Sequence, residues 1–240
     1  IDRSLVGSEM CIRDSICRLW FLILNQKNER RMKVSRFRPA AISQSNLLNG
    51  RRIMLRPLVA EDFTQWTEVR NANKEWLTKW EPSKPNGVPD ITNDKVAFTS
   101  RCNARDRERH LGSGYGFGIF VDGEFSGEIN ISSIQRGPFQ NCYVGYWIDY
   151  RKAGQGYTPE ALVVLLKFAF EILKLHRVQV AIIPRNTASR RVAEKLNLRN
   201  EGIAEKYLEI NGEWEDHIRF AITSEEWKER GDSLQADWIC

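Results

Sequence analysis

Apolar and polar positions along the chain follow two different periods. Between residues 115 and 134, in "YGFGIFVDGEFSGEINISSI", they alternate with a period of two around Asp122 and Gly123, a pair typical of a two-residue hairpin turn. Between residues 159 and 174 apolar residues recur at the spacing of one helical face, at Leu162, Leu165, Leu166, Ala169, Ile172 and Leu173. The chain therefore predicts both strands and amphipathic helices.

The other segments extend this pattern into one mixed sheet. "RRIMLRPL" predicts a strand that ends at Pro57, residues 61–80 a helix broken near 71–73, and residues 93–111 a charged helix. "CYVGYWIDY" and "HRVQVAIIP" predict strands, "NTASRRVAEKL" a helix, and "YLEINGEWEDHIRFAIT" a hairpin turning at Asn211 and Gly212. This order indicates an α/β fold in which helices pack on one mixed sheet.

Composition excludes several classes of protein. Hydrophobic content of 42% with 28% charged residues is ordinary for a soluble globular chain, and a net charge of +5 is only mildly basic. Five cysteines without CxxC spacing and three scattered histidines predict neither a disulfide framework nor a metal site. The longest apolar run, Leu19 to Leu24, is too short to span a membrane. From the cysteine usage and the short apolar run we expect a cytoplasmic protein. Because there is no helix-turn-helix signature, we expect it to bind no DNA.

The first residues do not fit the pattern downstream. "LVGSEMCIRDS", Leu5 to Ser15, resembles a translated sequencing adapter, which predicts that residues 1–31 are a non-native leader of adapter read-through and untranslated region. A signal peptide is the rival interpretation, but acidic residues precede its apolar stretch and "NQKNERR" follows it. With Met32 as the start, residues 32–50 are predicted as a flexible arm, 51–228 as the domain and 229–240 as a C-terminal tail.

The stretch "YRKAGQGYTPEAL" joins a predicted strand to a predicted helix through Gly154 and Gly156. Such a turn leaves amide N–H groups free at the positive end of the helix dipole, where they form a site for an anion. Thr158 is predicted to cap the helix, Pro159 to occupy its first position and Arg151 to add a charged contact. Taken alone, the spacing fits either a structural turn or a phosphate-binding turn, because it matches neither usual nucleotide motif.

Six segments together resemble one family. "RKAGQG" fills the Arg/Gln-x-x-Gly-x-Gly/Ala motif of the GCN5-related N-acetyltransferases (GNAT), and "IIPRNTASRRVAEKLNLRNEG" is similar to their Pro-x-Asn-x-x-Ser segment. "YLEINGEWEDH" resembles the closing hairpin of the RimJ/RimL branch, which acetylates ribosomal proteins. "LRPL", "NKEWLTKWEP" and "VGYWID" are also similar to RimJ-type sequences. The resemblance covers roughly Arg51 to Trp227 in the family's order.

The resemblance implies a central, mostly antiparallel sheet with helices on both faces, and acetyl-CoA as co-substrate without a metal. It implies that the glycine turn holds the pyrophosphate and that a splayed strand receives the pantetheine arm. The implied cofactor-binding residues are Trp147, Ile148, Arg151, Lys152, Ala153, Gly154, Gln155, Gly156, Tyr157, Asn186 and Ser189. From the residues alone, core packing is favoured for the side chains of Tyr143, Tyr146 and Trp147, and helix capping remains an alternative for Asn186.

The resemblance points to catalytic groups less directly. Many relatives carry a general-acid tyrosine where this chain has Ala193, so Ser189 is the better candidate to protonate the departing thiolate. Glu128 is the candidate base, on a strand whose polar face either lines the acceptor cleft or meets solvent. Some relatives have a glutamate where this chain has Leu208, with Glu209 beside it. A water relay is the alternative, because an α-amine with a pKa near 7.7 to 8.0 is already partly neutral at pH 7.

Four further residues affect these expectations. Asp216 and His217 are adjacent on a strand and point to opposite faces, so we expect them to be structural. Arg185 and Asn197 stand where the family more often has Glu and Gly. The first changes the charge expected between cofactor and acceptor, and the second is expected to loosen the turn after its helix.

The sequence thus predicts an N-acetyltransferase that transfers acetyl to the N-terminal α-amine of a protein, with the N-terminal alanine of a ribosomal protein as acceptor. Because no cysteine lies in the matched motifs, direct transfer within a ternary complex is expected, from a monomer or homodimer. One alternative is acetylation of a small amine such as a polyamine or antibiotic. Another is a non-catalytic CoA-binding or ribosome-associated module. A wide cleft favours the peptide acceptor, and an enclosed acidic pocket favours the small amine.

Overall fold

The computed structural model describes residues 47–83 and 90–240, so the predicted leader and most of the predicted arm lie outside the described residues. The strands are β1 Leu48–Asn49, β2 Ile53–Arg56, β3 Tyr115–Val121, β4 Glu124–Gln135, β5 Asn141–Ile148, β6 Arg177–Ile182, β7 Arg199–Ile210 and β8 Glu213–Thr223. The α-helices are α1 Phe63–Ala72, α2 Lys74–Thr78, α3 Lys95–Leu111, α4 Tyr157–Lys167, α5 Thr187–Lys195 and α6 Ser224–Trp238. Every strand and helix predicted after residue 50 is present.

The eight strands form one sheet in the order β1-β2-β3-β4-β5-β6-β8-β7. All neighbouring pairs are antiparallel except β5 and β6, which are parallel and are connected through α4. Residues 141–143 of β5 pair with residues 177–179 of β6, and the ladder ends there although β5 continues to Ile148. The sheet therefore opens between these two strands, and the end of β5 keeps a free edge on that side.

Helices cover both faces of this sheet, as predicted. Alternation along β3 sends Ile119 and Val121 into a large core shared with α4, α5 and α6. Phe120 points the other way, into a smaller core with Trp66 of α1 and Phe98 of α3. Because β3 is buried on both faces, its sequence is a nearly continuous apolar run.

The C-terminal helix corrects the predicted domain boundary. α6 begins with a capping box between Thr223 and Glu226 and continues to Trp238, so residue 228 lies inside a helix. Its buried residues are Trp227, Gly231 and Leu234, and the indole of Trp227 stacks on Phe170 at 5.6 Å. Residues 229–238 are thus part of the folded domain, because their apolar face completes the large core. In the described ranges, no helix combines the length and apolarity needed to cross a membrane.

Candidate functional site

The glycine turn follows directly from the free end of β5. Gly154 and Gly156 have φ values of +79° and +89°, in the left-handed region that glycine adopts without steric cost. Among the described residues, no backbone or side-chain acceptor receives the amide N–H groups of residues 154 to 158. Five unpaired amides at the N-terminus of α4, together with the helix dipole, form a site suited to an anion such as a pyrophosphate.

Three details of the turn differ from the sequence prediction. α4 begins at Tyr157 with Gly156 as its N-cap residue, so Thr158 does not cap it and Pro159 is its third residue. A missing N–H costs nothing there either, because the first-turn amides have no intrahelical acceptor. Arg151 does not point along the turn, since its Nη2 donates to Oδ2 of Asp149 at 2.5 Å.

Asp149 and Asn73 tie the start of the turn to the break between α1 and α2. Burial alone would raise the pKa of Asp149, but hydrogen bonds from Arg151 and Asn73 outweigh it and hold that pKa below its ordinary value. The fully buried Asn73 donates from Nδ2 to Asp149 at 3.1 Å and accepts from the backbone N–H of Tyr150 at 2.8 Å. The helix break predicted near residues 71–73 is therefore also the contact point between two parts of the site.

A cavity of about 1240 Å³ extends from the turn to α1 and α2. Most of the predicted site residues line it: Glu128, Trp147, Ile148, Lys152, Ala153, Gly154, Gly156, Tyr157, Asn186 and Ser189. Arg151 and Gln155 are not among the lining residues. The cavity is also basic, with Arg70, Arg101, Arg105, Lys152, Arg191 and Lys195 against two acidic side chains, Glu81 and Glu128.

Ser189 lies at the start of α5, across the sheet opening from Tyr146 on β5. Asn186 caps this helix by accepting the backbone N–H of Ser189 at 3.1 Å, so the capping alternative is correct, and Asn186 lines the cavity as well. The Ser189 hydroxyl donates to Oη of Tyr146 at 3.2 Å, and that phenol donates to the Ser189 carbonyl at 3.1 Å. Burial raises the pKa of Tyr146, so the phenol keeps its proton.

Sequence reasoning assigned the Tyr146 side chain to core packing and so missed its contact with Ser189. No sequence signal marks the contact of its hydroxyl, because Tyr146 shares a face of β5 with the buried Val144 and Ile148, as an ordinary core aromatic would. Only the opening between β5 and β6 brings this phenol to a helix that follows it by about forty residues.

Glu128 lies on the polar side of β4. Of the two alternatives given for this side, a cleft wall or a solvent-facing surface, the structure shows a cavity wall. Its Oε1 accepts from Trp66 Nε1 at 2.6 Å and its Oε2 accepts from Arg101 at 2.5 Å. With only 14% of its side chain exposed, the carboxylate is oriented by groups from α1 and α3. Asn130 lines the same wall, whereas Ser132 is not among the lining residues.

Sequence analysis did not identify the wall opposite the turn as part of a site. It consists of three tryptophans and two other apolar residues of α1, α2 and the segment that follows: Trp66, Trp76, Trp80, Leu77 and Pro82. Arg70 joins this wall by a two-bond ion pair with Glu81, at 2.7 and 2.8 Å. The helical spacing of these aromatics is visible in the sequence, but the same spacing also marks core residues.

The last hairpin contacts the segments beside this wall without lining the cavity itself. The N–H of Asn211 donates to the carbonyl of Glu81 at 3.0 Å, and Arg185 pairs with Glu215 while lying 5.0 Å over the ring of Trp80. Leu208, in the place of a family glutamate, is exposed on β7 and is not a lining residue.

Asp216 and His217 are structural, as predicted. Asp216 accepts the N–H of Lys206 at 2.8 Å, and the buried ring of His217 contacts the Glu215 carbonyl at 2.9 Å. Asn197 adopts a φ of +49°, a conformation that asparagine tolerates, and its N–H donates to Glu194 at 3.0 Å. The turn after α5 is therefore formed without the family's glycine, contrary to the expected loosening.

Two buried cysteines lie away from this chemistry. Burial raises the pKa of Cys102 to about 11 and that of Cys142 to about 12, so neither is a thiolate at neutral pH. Neither lines the cavity. Across residues 47–83 and 90–240, no three His, Cys, Asp or Glu side chains cluster as metal ligands.

Comparison with known proteins gives concordant results. A family model described as an acetyltransferase (GNAT) domain matches residues 52–199. The chain is 32% identical over 178 residues to the Probable N-acetyltransferase YjcK of Bacillus subtilis (strain 168), covering 73% of this chain and 96% of that protein. It is 29% identical over 182 residues to the ribosomal protein uS5-alanine N-acetyltransferase of Escherichia coli (strain K12), covering 73% and 90%. Mycobacterium smegmatis RimJ, solved in complex with CoA-disulfide, is similar with a TM-score of 0.72 and 31% identity, covering 80% and 92%.

Proposed function

The chain belongs to the GNAT family and is an N-acetyltransferase; from this premise we propose that it transfers acetyl from acetyl-CoA to the N-terminal α-amine of a ribosomal protein. The acceptor residue we propose is alanine, by analogy with the uS5-alanine enzyme, and the transfer is direct within a ternary complex. The observation that carries the proposal is a single cavity lined by the glycine turn, Ser189 and Glu128.

The free amides of residues 154 to 158 bind the pyrophosphate, assisted by the positive end of α4 and by Lys152. The free edge of β5 receives the pantetheine arm. Beyond residue 143, the backbone groups on the side of β5 that faces β6 have no strand partner in the described part of the chain. A β5 amide at the end of that arm polarises the thioester carbonyl, the usual form of oxyanion stabilisation in acyl transfer. These contacts involve the backbone, so they fix the acetyl group whatever the acceptor.

Ser189 protonates the departing thiolate. In the structure that hydroxyl donates to Tyr146, so it rotates away from the phenol to give its proton to the sulfur. Tyr146 then returns a proton to Ser189 and takes another from solvent, which restores the pair for the next turnover. A proton donor placed in this way contributes roughly 10²- to 10⁴-fold to the rate.

Glu128 accepts the proton of the attacking amine, directly or through a water. The α-amine of a polypeptide has a pKa of about 7.7 to 8.0, so little driving force is needed at neutral pH. The ion pair with Arg101 and the Trp66 hydrogen bond keep the Glu128 carboxylate in one orientation.

The thiols support direct transfer, since Cys240, although exposed, is not a lining residue of the cavity either. Cys102 and Cys142 are buried, protonated at neutral pH and absent from the cavity wall, so neither can carry an acetyl group. The amine therefore attacks the thioester itself while both substrates are bound.

The charge of the cavity favours a peptide over a small amine. The cavity of about 1240 Å³ is shared by the cofactor turn and the wall proposed for the acceptor. Among the described residues, its unpaired charges are the basic side chains of Arg191 and Lys195, since the other four basic side chains are paired with carboxylates. This net positive charge disfavours polyamines and aminoglycosides, which carry several positive charges. A peptide needs to bring only one ammonium group, at its N-terminus.

The proposal is tested by following thiol release from acetyl-CoA with the full 240-residue chain. The acceptors are ribosomal N-terminal peptides that begin with alanine, the same peptides with a blocked N-terminus, polyamines and aminoglycosides. Turnover with the free alanine peptide and none with its blocked form is the expected result. Turnover only with small amines would overturn the peptide proposal. Binding of acetyl-CoA without turnover on any amine would favour a non-catalytic module.

A further inference from the structure

Glu160 is a fully buried carboxylate in the first turn of α4, the helix whose N-terminal amides we propose as the pyrophosphate site. A carboxylate at this end of a helix interacts favourably with the dipole when no other anion is near. A bound phosphate brings a second negative charge to the same helix end, and like charges repel strongly where water is excluded. The affinity of the turn for phosphate therefore depends on how the charge of Glu160 is neutralised.

Arg52, the residue before β2, neutralises that charge. Its backbone N–H donates to Oε1 of Glu160 at 2.6 Å and its Nε donates to Oε2 at 2.8 Å, so both carboxylate oxygens are held. Gly50 permits this approach, because a Cβ there would lie 2.7 Å from Oε1 of Glu160. Two hydrogen bonds and an opposite charge compensate the desolvation of the buried carboxylate, which would otherwise be costly.

The same guanidinium also fixes the backbone of the glycine turn. Its Nη1 donates to the carbonyl of Gln155 at 3.0 Å, and its central carbon lies 4.8 Å from the centre of the Tyr157 ring. Its Nη2 lies 3.1 Å from the position that a Cβ on Gly156 would take. Arg52 does not line the cavity, and its contacts are with the turn and with Glu160.

We propose that Arg52 is a positioning residue for the acetyl-CoA turn. By neutralising Glu160 and holding the Gln155 carbonyl, it sets the affinity of the turn for the pyrophosphate of CoA. This inference rests on the proposed function, since it assigns a supporting residue to the same turn. It implies that Arg52 affects binding of CoA but not binding of the acceptor or the chemical step.

The test compares Arg52→Gln with the double variant Arg52→Gln/Glu160→Gln. Arg51→Gln is the matched control, because it removes the same charge from the exposed neighbouring residue. Calorimetry measures the Kd of CoA, steady-state kinetics measure kcat and the KM of the acceptor peptide, and thermal unfolding reports stability. A buried charge left unpaired near a phosphate predicts about tenfold weaker CoA binding in Arg52→Gln. Removing Glu160 as well should restore CoA binding to within about threefold of the natural chain.

Arg51→Gln should change the Kd of CoA by less than about twofold, because Arg51, unlike Arg52, has no contact with Glu160 or the turn in the described part of the chain. Equal effects of Arg51→Gln and Arg52→Gln would overturn the inference, as would a double variant that binds CoA no better than Arg52→Gln. A fall in kcat or a rise in acceptor KM without loss of CoA binding would also overturn it. If Arg52→Gln does not fold, Arg52→Lys replaces it and should bind CoA with intermediate affinity. A natural chain that binds no CoA at all would contradict the proposed function itself, before any variant is compared.

Discussion

The two ends of the cavity, the glycine turn and the wall formed by α1, α2 and the segment that follows, present different chemical groups. At the turn, the groups that face the cavity are chiefly backbone amides, freed by Gly154 and Gly156 at the start of α4. At the opposite end they are side chains, with Trp66, Arg70 and Trp80 among them. A backbone site accepts one kind of group, a phosphate, and tolerates change in most of its side chains. A side-chain site can be altered residue by residue, so this end is where acceptor specificity can diverge within the family.

The largest effect should come from a charge placed among the backbone amides. Gly154→Glu is expected to lower kcat/KM for acetyl-CoA more than about 100-fold, because its carboxylate competes with the pyrophosphate for the same dipole. Gly137→Glu is the matched control: both glycines have positive φ, +79° and +69°, and at both an added Cβ meets nothing within 4 Å. The backbone strain is therefore similar, and Gly137→Glu should keep activity within about twofold. Equal losses in steady-state assays would show that strain, not the anion site, causes the defect.

The next largest effect on activity is expected from substitutions of Ser189 and Tyr146, which lie between the two ends of the cavity. Ser189→Ala should lower kcat about 100-fold, the lower end of the ~10²- to 10⁴-fold contribution of a positioned proton donor. The KM for acetyl-CoA should stay within about threefold, because the helix cap uses the Ser189 backbone N–H, which alanine retains. Tyr146→Phe should lower kcat less, by about fivefold, since Ser189 keeps its hydroxyl. Ser189→Thr, which restores a hydroxyl, should recover part of kcat, and its failure to do so would remove Ser189 from the chemistry.

A smaller effect separates the two carboxylates of the acceptor end. Glu128→Gln should lower kcat/KM for the peptide about tenfold and leave the KM of acetyl-CoA unchanged. Glu81→Gln is the matched variant, since it also loses the charge of an arginine-paired carboxylate on the same cavity wall. It should cost less than about threefold, because its carboxylate is 37% exposed and its ion pair is partly screened. Equal losses for the two variants would mean that Glu128 contributes charge alone.

The smallest effect is expected on stability, from substitution of Asp149, which connects the start of the turn to Asn73 between α1 and α2. Because its pKa is depressed in the folded state, Asp149 stabilises the protein above the unfolded-state pKa of about 3.9 and loses that contribution as pH falls through the folded-state value. Asp149→Asn should therefore lower the free energy of unfolding by about 1 to 2 kcal/mol at pH 7, and by progressively less below about pH 4. Urea unfolding at pH 7 and pH 3 measures both differences. A difference that stays constant with pH would show that the Asp149 charge is not the cause.

The elements of the fold were predictable because each has a local signal. Glycine pairs mark the hairpins, and apolar spacing marks the helices on either side of the sheet. α6 was missed although its capping box from Thr223 to Glu226 is visible in the sequence. Its buried residues, Trp227, Gly231 and Leu234, keep helical spacing, but the middle one is a glycine, so the apolar stripe is thin.

The two ends of the cavity were not equally predictable. The turn was predicted from glycines that the backbone itself requires, and most residues assigned to it line the cavity. The acceptor end depends on α1, α2, α3, β4 and the last hairpin meeting in space, which no single stretch encodes. Glu128 was placed on the correct face by strand alternation, but its partners Trp66 and Arg101 come from helices about sixty and thirty residues away. Arg52 was unpredictable for the same reason, since it reaches Glu160 across 108 positions of sequence.

The excess of basic side chains around the cavity has a kinetic consequence. Arg191 and Lys195 line the cavity without an ion-pair partner in the described part of the chain, and their positive potential accelerates the approach of an anion and slows that of a cation. CoA is anionic, whereas a peptide presents a cationic N-terminus, so the two substrates should respond oppositely to ionic strength. Added salt, by shortening the Debye length below about 10 Å, should slow the encounter with CoA and quicken that with the peptide's charged terminus. Stopped-flow association rates at several salt concentrations would reveal these opposite slopes.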